Sequence, residues 1–410
     1  MRLLYSIGIH IASVVIKLLA LFNLKLKLGV NGRKATFNKI KSSIKPTDKT
    51  FWYHCASLGE YEQGLPVFEA LKEKYPNYKV VLSFFSPSGY EVRKNTTIAD
   101  VVVYLPLDTK TNARRFLNLV NPDYIVFVKY EIWPNLLLEV KKRNLNAILI
   151  SAVFRESQNF FKWYGSFMKA SLFAFKHIFT QDENSKTLLK NINYNNVSVS
   201  GDTRFDRVTN QLKVDNTVDF IEKFKNNQLC VVFGSTWPDD DKLFLDYINQ
   251  NPDIKFIIAP HNIKESYTSS IKSQLTVKTI SYSEMMSGKN ISDSNVFILD
   301  TIGYLSRVYS YADMVYVGGA AGHTGLHNIL EPAVFGVPII IGKNYDKFPE
   351  AKTLIKLEGV TSIKTPVAFK EIISNLKTDP SLRKKQGKIN ADYIEKNRGA
   401  VTKIQDYINL

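Results

Sequence analysis

The sequence predicts an α/β protein of two Rossmann-like domains facing each other across a cleft, with an N-terminal membrane-associated helix. Three observations carry that reading. The chain has 410 residues, which suits two cores of ordinary size better than one. From residue 50 onward, short apolar runs alternate with helical patterns, the rhythm of a doubly wound sheet. Most of those runs are continuous rather than alternating, as befits parallel strands buried on both faces.

Taken in order, Leu3–Phe22 comes first. It is apolar and about long enough to cross a bilayer, although His10 and Lys17 interrupt it. No small-residue cleavage site follows, so a removed signal peptide is not expected. Residues 1–49 hold ten basic side chains against one acid, Asp48, a local +9 within a formal net charge of +16. Basic residues that follow an apolar stretch point to an anionic membrane surface rather than to nucleic acid. The alternative is a helix packed on the protein itself. Residues 1–28 are therefore set apart from the first domain.

That domain, 29–205, draws its strands from 51–57, 79–85, 101–105, 124–129, 146–152, 177–181 and 197–200. The polar stretch 201–228 shows no clear strand and reads as a hinge beginning near Gly201. The second domain, 206–410, draws on 229–235, 255–260, 296–300, 314–318 and 337–341, and its last helix can pack back on the first domain. Cys55 and Cys230 fall in different predicted strands, so no disulfide is implied and a reducing compartment fits.

In such sheets, ligands bind beyond the carboxyl ends of the strands. Glu60, after the first strand, is placed either as a general base or as a first-turn acid that complements a helix dipole. Glu131, after the strand at 124–129, is placed to bind a sugar hydroxyl or to orient a catalytic group, or else to stand in a structural turn with a packed Trp133. In the second domain, glycines at 318, 319, 322 and 325 would let amides approach a phosphate, with a helix beginning near His327 and Glu331 placed for ribose hydroxyls. Ser235 and Thr236 offer hydroxyls at the next strand end. Pro260 and His261 follow one strand, and the segment from Asp300 to Leu305 follows another. His323 and His327 stand four apart, but Thr324 occupies the place where a zinc protease has Glu. No D-x-D motif lies in a suitable loop, so neither a metal nor a cofactor is expected.

These segments together resemble the Kdo (3-deoxy-D-manno-octulosonic acid) transferases. The matches are HCASLGE at 54–60, YEIWPN at 130–135, SGDTRFD at 200–206, DTIGYL at 300–305 and GHTGLHNILEPA at 322–333. The resemblance implies a GT-B fold, CMP-Kdo as donor substrate and a lipid A precursor, lipid IVA, as acceptor, at the cytoplasmic face of a bacterial inner membrane. It implies an inverting transfer with Glu60 as general base. It carries CMP contacts onto Pro260 and His261, onto Ile302, Gly303 and Tyr304, and onto Asn328, Ile329, Leu330 and Glu331. The chain departs from the family at Pro260-His261-Asn262, where Pro-Arg-His is common, and at Ile302-Gly303-Tyr304, where Met-Gly-Glu is common. Two other readings stay in view: a GT-B transferase or epimerase that uses a UDP-sugar, and a non-catalytic membrane-surface binding protein on the same fold.

Overall fold

The computed structural model describes residues 2–129 and 131–409. Tyr130, the first residue of the motif at 130–135, lies outside them, as do Met1 and Leu410. The chain divides into two compact units, Met1–Arg207 with Arg398–Leu410, and Val208–Asn397.

The first unit opens with α1 (Arg2–Leu19) and α2 (Leu24–Ser43). Seven strands follow: β1 (Thr50–Cys55), β2 (Lys79–Phe84), β3 (Val101–Tyr104), β4 (Tyr124–Val128), β5 (Asn146–Ala152), β6 (His177–Thr180) and β7 (Val197–Val199). They pair in parallel in the order β3-β2-β1-β4-β5-β6-β7. Every residue of β1, β3 and β4 is buried, so apolar cores lie on both faces of the sheet. α2 packs close to β3 because Gly32 has no side chain: a Cβ there would stand 2.2 Å from the Tyr104 ring.

The second unit repeats the plan. Its strands are β8 (Cys230–Thr236), β9 (Lys255–Pro260), β10 (Thr279–Ser281), β11 (Val296–Ile298), β12 (Met314–Val317), β13 (Ile339–Ile341) and β14 (Val360–Ser362). They run parallel in the order β10-β11-β9-β8-β12-β13-β14. The predicted α/β class and the two Rossmann-like sheets are thus observed. β10 and β14 were not expected. Both are three residues long and form the two edges, where one side of the strand has no neighbour and a long apolar run is not required.

Both sheets carry a switch point. The chain moves outward from β1 through β2 to β3, then returns to β4 on the other side of β1. In the second unit it moves from β8 across β9, then returns to β12 beside β8. The carboxyl ends of β1 and β4, and of β8 and β12, therefore open crevices where ligands bind in folds of this kind.

Residues 201–228, read as irregular from the sequence, hold helices at Thr203–Asn210 and Asp219–Lys225. Asp206 secures the C-terminal segment to the first unit: its carboxylate accepts the amides of Gly399 (2.9 Å) and Ala400 (3.1 Å), at the start of the helix Ala400–Tyr407. That helix buries Ile404, and Ile408 follows it into the same core. Asp206→Ala removes this cap, which is worth roughly 1 kcal/mol. Hydrogen exchange should then accelerate over residues 400–407 while β1 and β4 keep their protection. Unchanged exchange there would show that the cap contributes nothing.

Candidate active site

At the first switch point, helix α3 (Leu58–Lys74) starts three residues after β1 ends. Its cap, Ser57, makes no side-chain hydrogen bond to the helix. Glu60 instead turns back, and its carboxylate accepts the Ala56 N–H. Glu60 is buried, and burial pushes its carboxyl up to about 7. Nearby Glu131 pushes the same way; the Ala56 amide, Lys129 and the Ser57 amide oppose the rise. A helix-start role and a proton-transfer role are therefore compatible. The backbone amides orient the carboxyl, and desolvation brings its titration to neutral pH.

Glu131 comes from the neighbouring strand end. The Trp133 indole N–H donates to its Oε2 (3.0 Å) and also to His54 Nε2 (3.1 Å). Indole nitrogen only donates, so His54 accepts at Nε2 and carries its proton at Nδ1, beside Ser83 Oγ at 2.9 Å. The 3.5 Å approach of His54 to Glu131 is therefore two acceptors sharing one N–H, not an ion pair. The Trp133 ring lies 4.5 Å from that of Phe85, and the Arg33 guanidinium lies 4.5 Å from the Phe85 ring centre while donating to the Phe85 carbonyl (2.6 Å).

Three cations that sequence reasoning did not single out enter here. Lys129 closes β4 with φ +65, a strained conformation for a lysine. Burial lowers its pKa; the Glu60 charge opposes that, and Arg204 and Arg155 add to the lowering. Arg204 is held by Asp202, its Nε donating to Oδ2 at 2.8 Å. The signal in the sequence was adjacency, since Lys129 directly precedes the motif at 130–135 and Arg204 lies inside the one at 200–206. The site thus sets a carboxyl that titrates near neutral pH among cations.

At the second switch point, the turns after β8 and β12 press together. A Cβ on Gly318 would meet the Ser235 carbonyl at 2.4 Å, and Gly319 has φ +94. Asp240 organises both turns: its carboxylate accepts Trp237 N (2.9 Å), Gly319 N (2.8 Å), Ala321 N (3.3 Å) and the Tyr316 hydroxyl (2.7 Å). This corrects the phosphate cradle drawn from the glycines. The amides of Gly319 and Ala321 are spent on Asp240, that of Gly318 on Gly234, and that of His327 on Gly318. The helix expected to begin near His327 is also absent. Residues 318–329 are irregular, and only Leu330–Ala333 is helical, too short to supply an appreciable dipole. The reason is local: the His327 amide closes back on Gly318, and Asn328 Oδ1 accepts Leu330 N (3.1 Å) to form a turn.

The other candidate positions divide. The His261 ring packs across two neighbouring rings, Trp237 at 4.6 Å and His327 at 4.5 Å, which lie nearly coplanar with each other. Trp237 Nε1 donates to His327 Nε2 (3.0 Å), and burial, with His261 beside it, lowers the His327 pKa to about 4. Asn328 donates to Glu331 (3.1 Å). Pro260, Ile329 and Leu330 are buried, which leaves mainly backbone for a ligand. Thr236 is wholly buried and Ser235, half-buried, has φ +55. Ile302 is 82% exposed, Gly303 has φ +97, and the Tyr304 ring packs on Phe220 (5.3 Å) and Tyr282 (5.6 Å) rather than on the histidine stack. Among the described residues, no group of three or more His, Cys, Asp or Glu is placed to hold a metal ion.

The Glu60 carboxyl titrates in the fold above its ordinary value of 4.5. The folded state then keeps a proton that the unfolded chain releases, so this contribution to stability is present below about 4.5 and is lost as pH rises through about 7. The loss is on the order of 2–3 kcal/mol. Glu60→Gln should widen its thermal-stability advantage over the natural chain between pH 5 and pH 8. A gap that does not change with pH would mean that Glu60 is not buried as a protonated acid.

Residues 31–207 match the family described as 3-Deoxy-D-manno-octulosonic-acid transferase (kdotransferase). The 3-deoxy-D-manno-octulosonic acid transferase of Haemophilus influenzae is 26% identical over 379 residues, 88% of this chain and 87% of that protein. The enzyme of the same name from Aquifex aeolicus is 25% identical over 374 residues, 87% of this chain and 95% of that one. Among solved structures, UDP-GlcNAc 2-epimerase from Neisseria meningitidis superposes with a TM-score of 0.62 at 16% identity, covering 88% of this chain and 100% of that one. Acinetobacter baumannii MurG superposes with a TM-score of 0.55 at 10% identity, covering 88% and 99%. At those identities they establish the architecture alone, the two-sheet GT-B type. Residues 31–207 thus match the family model of the Kdo transferases, and the chain is similar to Kdo transferases over most of its length.

Proposed function

We propose that the protein transfers Kdo from CMP-Kdo to a lipid A precursor, lipid IVA, in lipopolysaccharide core biosynthesis, at the cytoplasmic face of a bacterial inner membrane. The kinship with Kdo transferases supports glycosyl transfer. The observation that carries the mechanism is Glu60, a desolvated carboxyl with a pKa of about 7 at the switch point of the family domain. Its carboxylate takes the proton of the attacking acceptor hydroxyl. The new bond forms from that oxygen to C2 of Kdo as the bond from C2 to the CMP phosphate breaks. CMP departs with the electron pair as an anion, so little acid assistance is required, and a single displacement inverts the anomeric centre. Lys129, Arg155 and Arg204 supply positive charge around the carboxylates for an anionic reactant.

In the second unit, Pro260, His261, Ile302, Gly303, Tyr304, Asn328, Ile329, Leu330 and Glu331 are assigned to CMP. Because Pro260, Ile329 and Leu330 are buried and the amides of Gly319 and Ala321 are engaged, donor binding rests on the remaining backbone and on the His261, Asn328 and Glu331 side chains. Glu131, Ser235 and Thr236 stand as further contacts to acceptor or phosphate, Thr236 through its backbone because its side chain is wholly buried.

The test is release of CMP from CMP-Kdo in the presence of a tetra-acylated lipid A precursor. kcat/KM should rise with pH through about 7, as the base ionises. Glu60→Gln should lower kcat by a hundredfold or more, about what a general base contributes, while CMP still protects the protein thermally. Near-normal turnover in that variant would remove Glu60 from the reaction. Protection by UDP in place of CMP would favour a UDP-sugar enzyme on the same fold. Glu331→Ala should weaken CMP binding more than it lowers kcat at saturating donor; unchanged affinity would sink that assignment.

A further inference from the structure

α1 is divided by burial rather than by polarity. Tyr5, Ile9, Ser13 and Ile16 turn toward the first unit and are half-buried, and Ala20 just beyond the helix is buried. On the opposite stripe, Leu4, Ile7, Ile11, Val14, Val15 and Leu18 are each 45–67% exposed. Steps of three and four residues keep each set on one face. The helix is therefore apolar on its outer side with none of the described residues over it, and the exposed side chains continue through Leu21, Phe22 and Leu24.

Both ends of this helix are tied to the same unit. The C-terminal end runs directly into α2, which buries Gly29, Thr36 and Ile40. Near the N-terminal end, the Tyr5 hydroxyl donates to Asp108 (2.8 Å), and the Tyr5 ring lies 5.5 Å from that of Phe167. Asp108 is itself buried and accepts the amides of Asn135 (2.9 Å) and Leu136 (2.8 Å). A helix of 18 residues is about 27 Å long. Standing it upright across a bilayer would pull Tyr5 from a buried carboxylate that has few other donors.

The segment that reaches Phe167 adds a second feature. Trp163 is 93% exposed and Tyr164 beside it 45% exposed. Exposed Lys162 directly precedes them. Exposed tryptophan and tyrosine next to a cation is the composition of a membrane–water interface, where the rings sit at headgroup level.

We propose that α1 lies flat in one leaflet of an anionic phospholipid bilayer, its outer stripe in the acyl boundary, with Trp163 and Tyr164 as a separate anchor close to its Tyr5 end. The charge of the first 49 residues, +9, complements an anionic headgroup layer. This inference rests on the membrane setting proposed above but not on the donor or the sugar. It assigns the helix to a seat on one face of the membrane, although its length and composition also permit a crossing.

The full chain carrying Arg2→Cys or Asn23→Cys reports on the two ends of the helix. The native Cys55 and Cys230 are buried and contribute little background. Bound to phosphatidylethanolamine vesicles containing phosphatidylglycerol, both variants should react equally with a membrane-impermeant maleimide added outside. Labelling of Arg2→Cys only after vesicle lysis would show a crossing and overturn the proposal, as would failure of the chain to sediment with the vesicles. Trp163→Ala should weaken vesicle partitioning about tenfold, the scale of burying a large apolar side chain in part. Its CMP release with detergent-dispersed acceptor should not change. Unaltered partitioning would remove the aromatic anchor. A chain that binds vesicles with both ends labelled yet releases no CMP would sink the proposed function and leave this inference standing.

Discussion

Parallel strands covered on both faces leave little room for polar side chains except at the strand ends, and this constraint shapes both units. Several polar groups of the first sheet are satisfied beside the site, although the buried Tyr53 hydroxyl on β1 has no hydrogen-bond partner among the described residues. Ser83, buried on β2, accepts the Trp52 indole N–H at 2.8 Å and stands 2.9 Å from His54 Nδ1. His54 passes the connection to Trp133, and Trp133 to Glu131. A chain of hydrogen bonds therefore runs from inside the sheet to a carboxylate just past the carboxyl end of β4. An unpaired polar atom inside would cost more than any one of these bonds contributes, which makes the orientation of Trp133 and Glu131 a consequence of core satisfaction.

The second unit solves the same problem with a carboxylate instead of an imidazole. Asp240 is buried, and burial raises its pKa against the pull of the Gly319, Tyr316, Trp237 and Ala321 donors. By holding the turn after β8 against the turn after β12, it sets the backbone path of the glycine-rich loop. The glycines serve close approach of two chain segments, and only part of that loop is left to face a ligand. Beside it, the Trp237 and His327 rings lie side by side under His261, and His327 stays neutral at physiological pH because burial lowers its pKa to about 4.

Asp108 links α1 to the candidate site. It receives the Tyr5 hydroxyl from α1 and the first amides of the helix Pro134–Lys142, which begins directly after Glu131 and Trp133. A seat that fixes α1 therefore also fixes the N-terminus of the helix behind the candidate base. The connection is short, within one unit and built from buried groups, so it needs no long-range rearrangement.

The central strands were legible in the sequence because a strand buried on both faces is mostly apolar: β4 and β12 are unbroken apolar runs, and β1 and β8 are apolar over most of their length. Glu60 was legible for a related reason: it is the first carboxylate after such a run. By itself the sequence determined the class of fold, the apolar leading helix and the placing of candidate residues at strand ends. It did not reveal β10 and β14, whose edge positions relax the apolar requirement. Nor did it reveal that Lys129 and Arg204 would join Glu60, since that depends on which strands become neighbours. The glycine-rich loop shows the limit most plainly. Local composition there suggests amides aimed at a phosphate, whereas the tertiary structure delivers Asp240, 79 residues earlier in the chain, to the Gly319 amide. An N–H has one hydrogen to give, and only the folded arrangement decides which acceptor reaches it first.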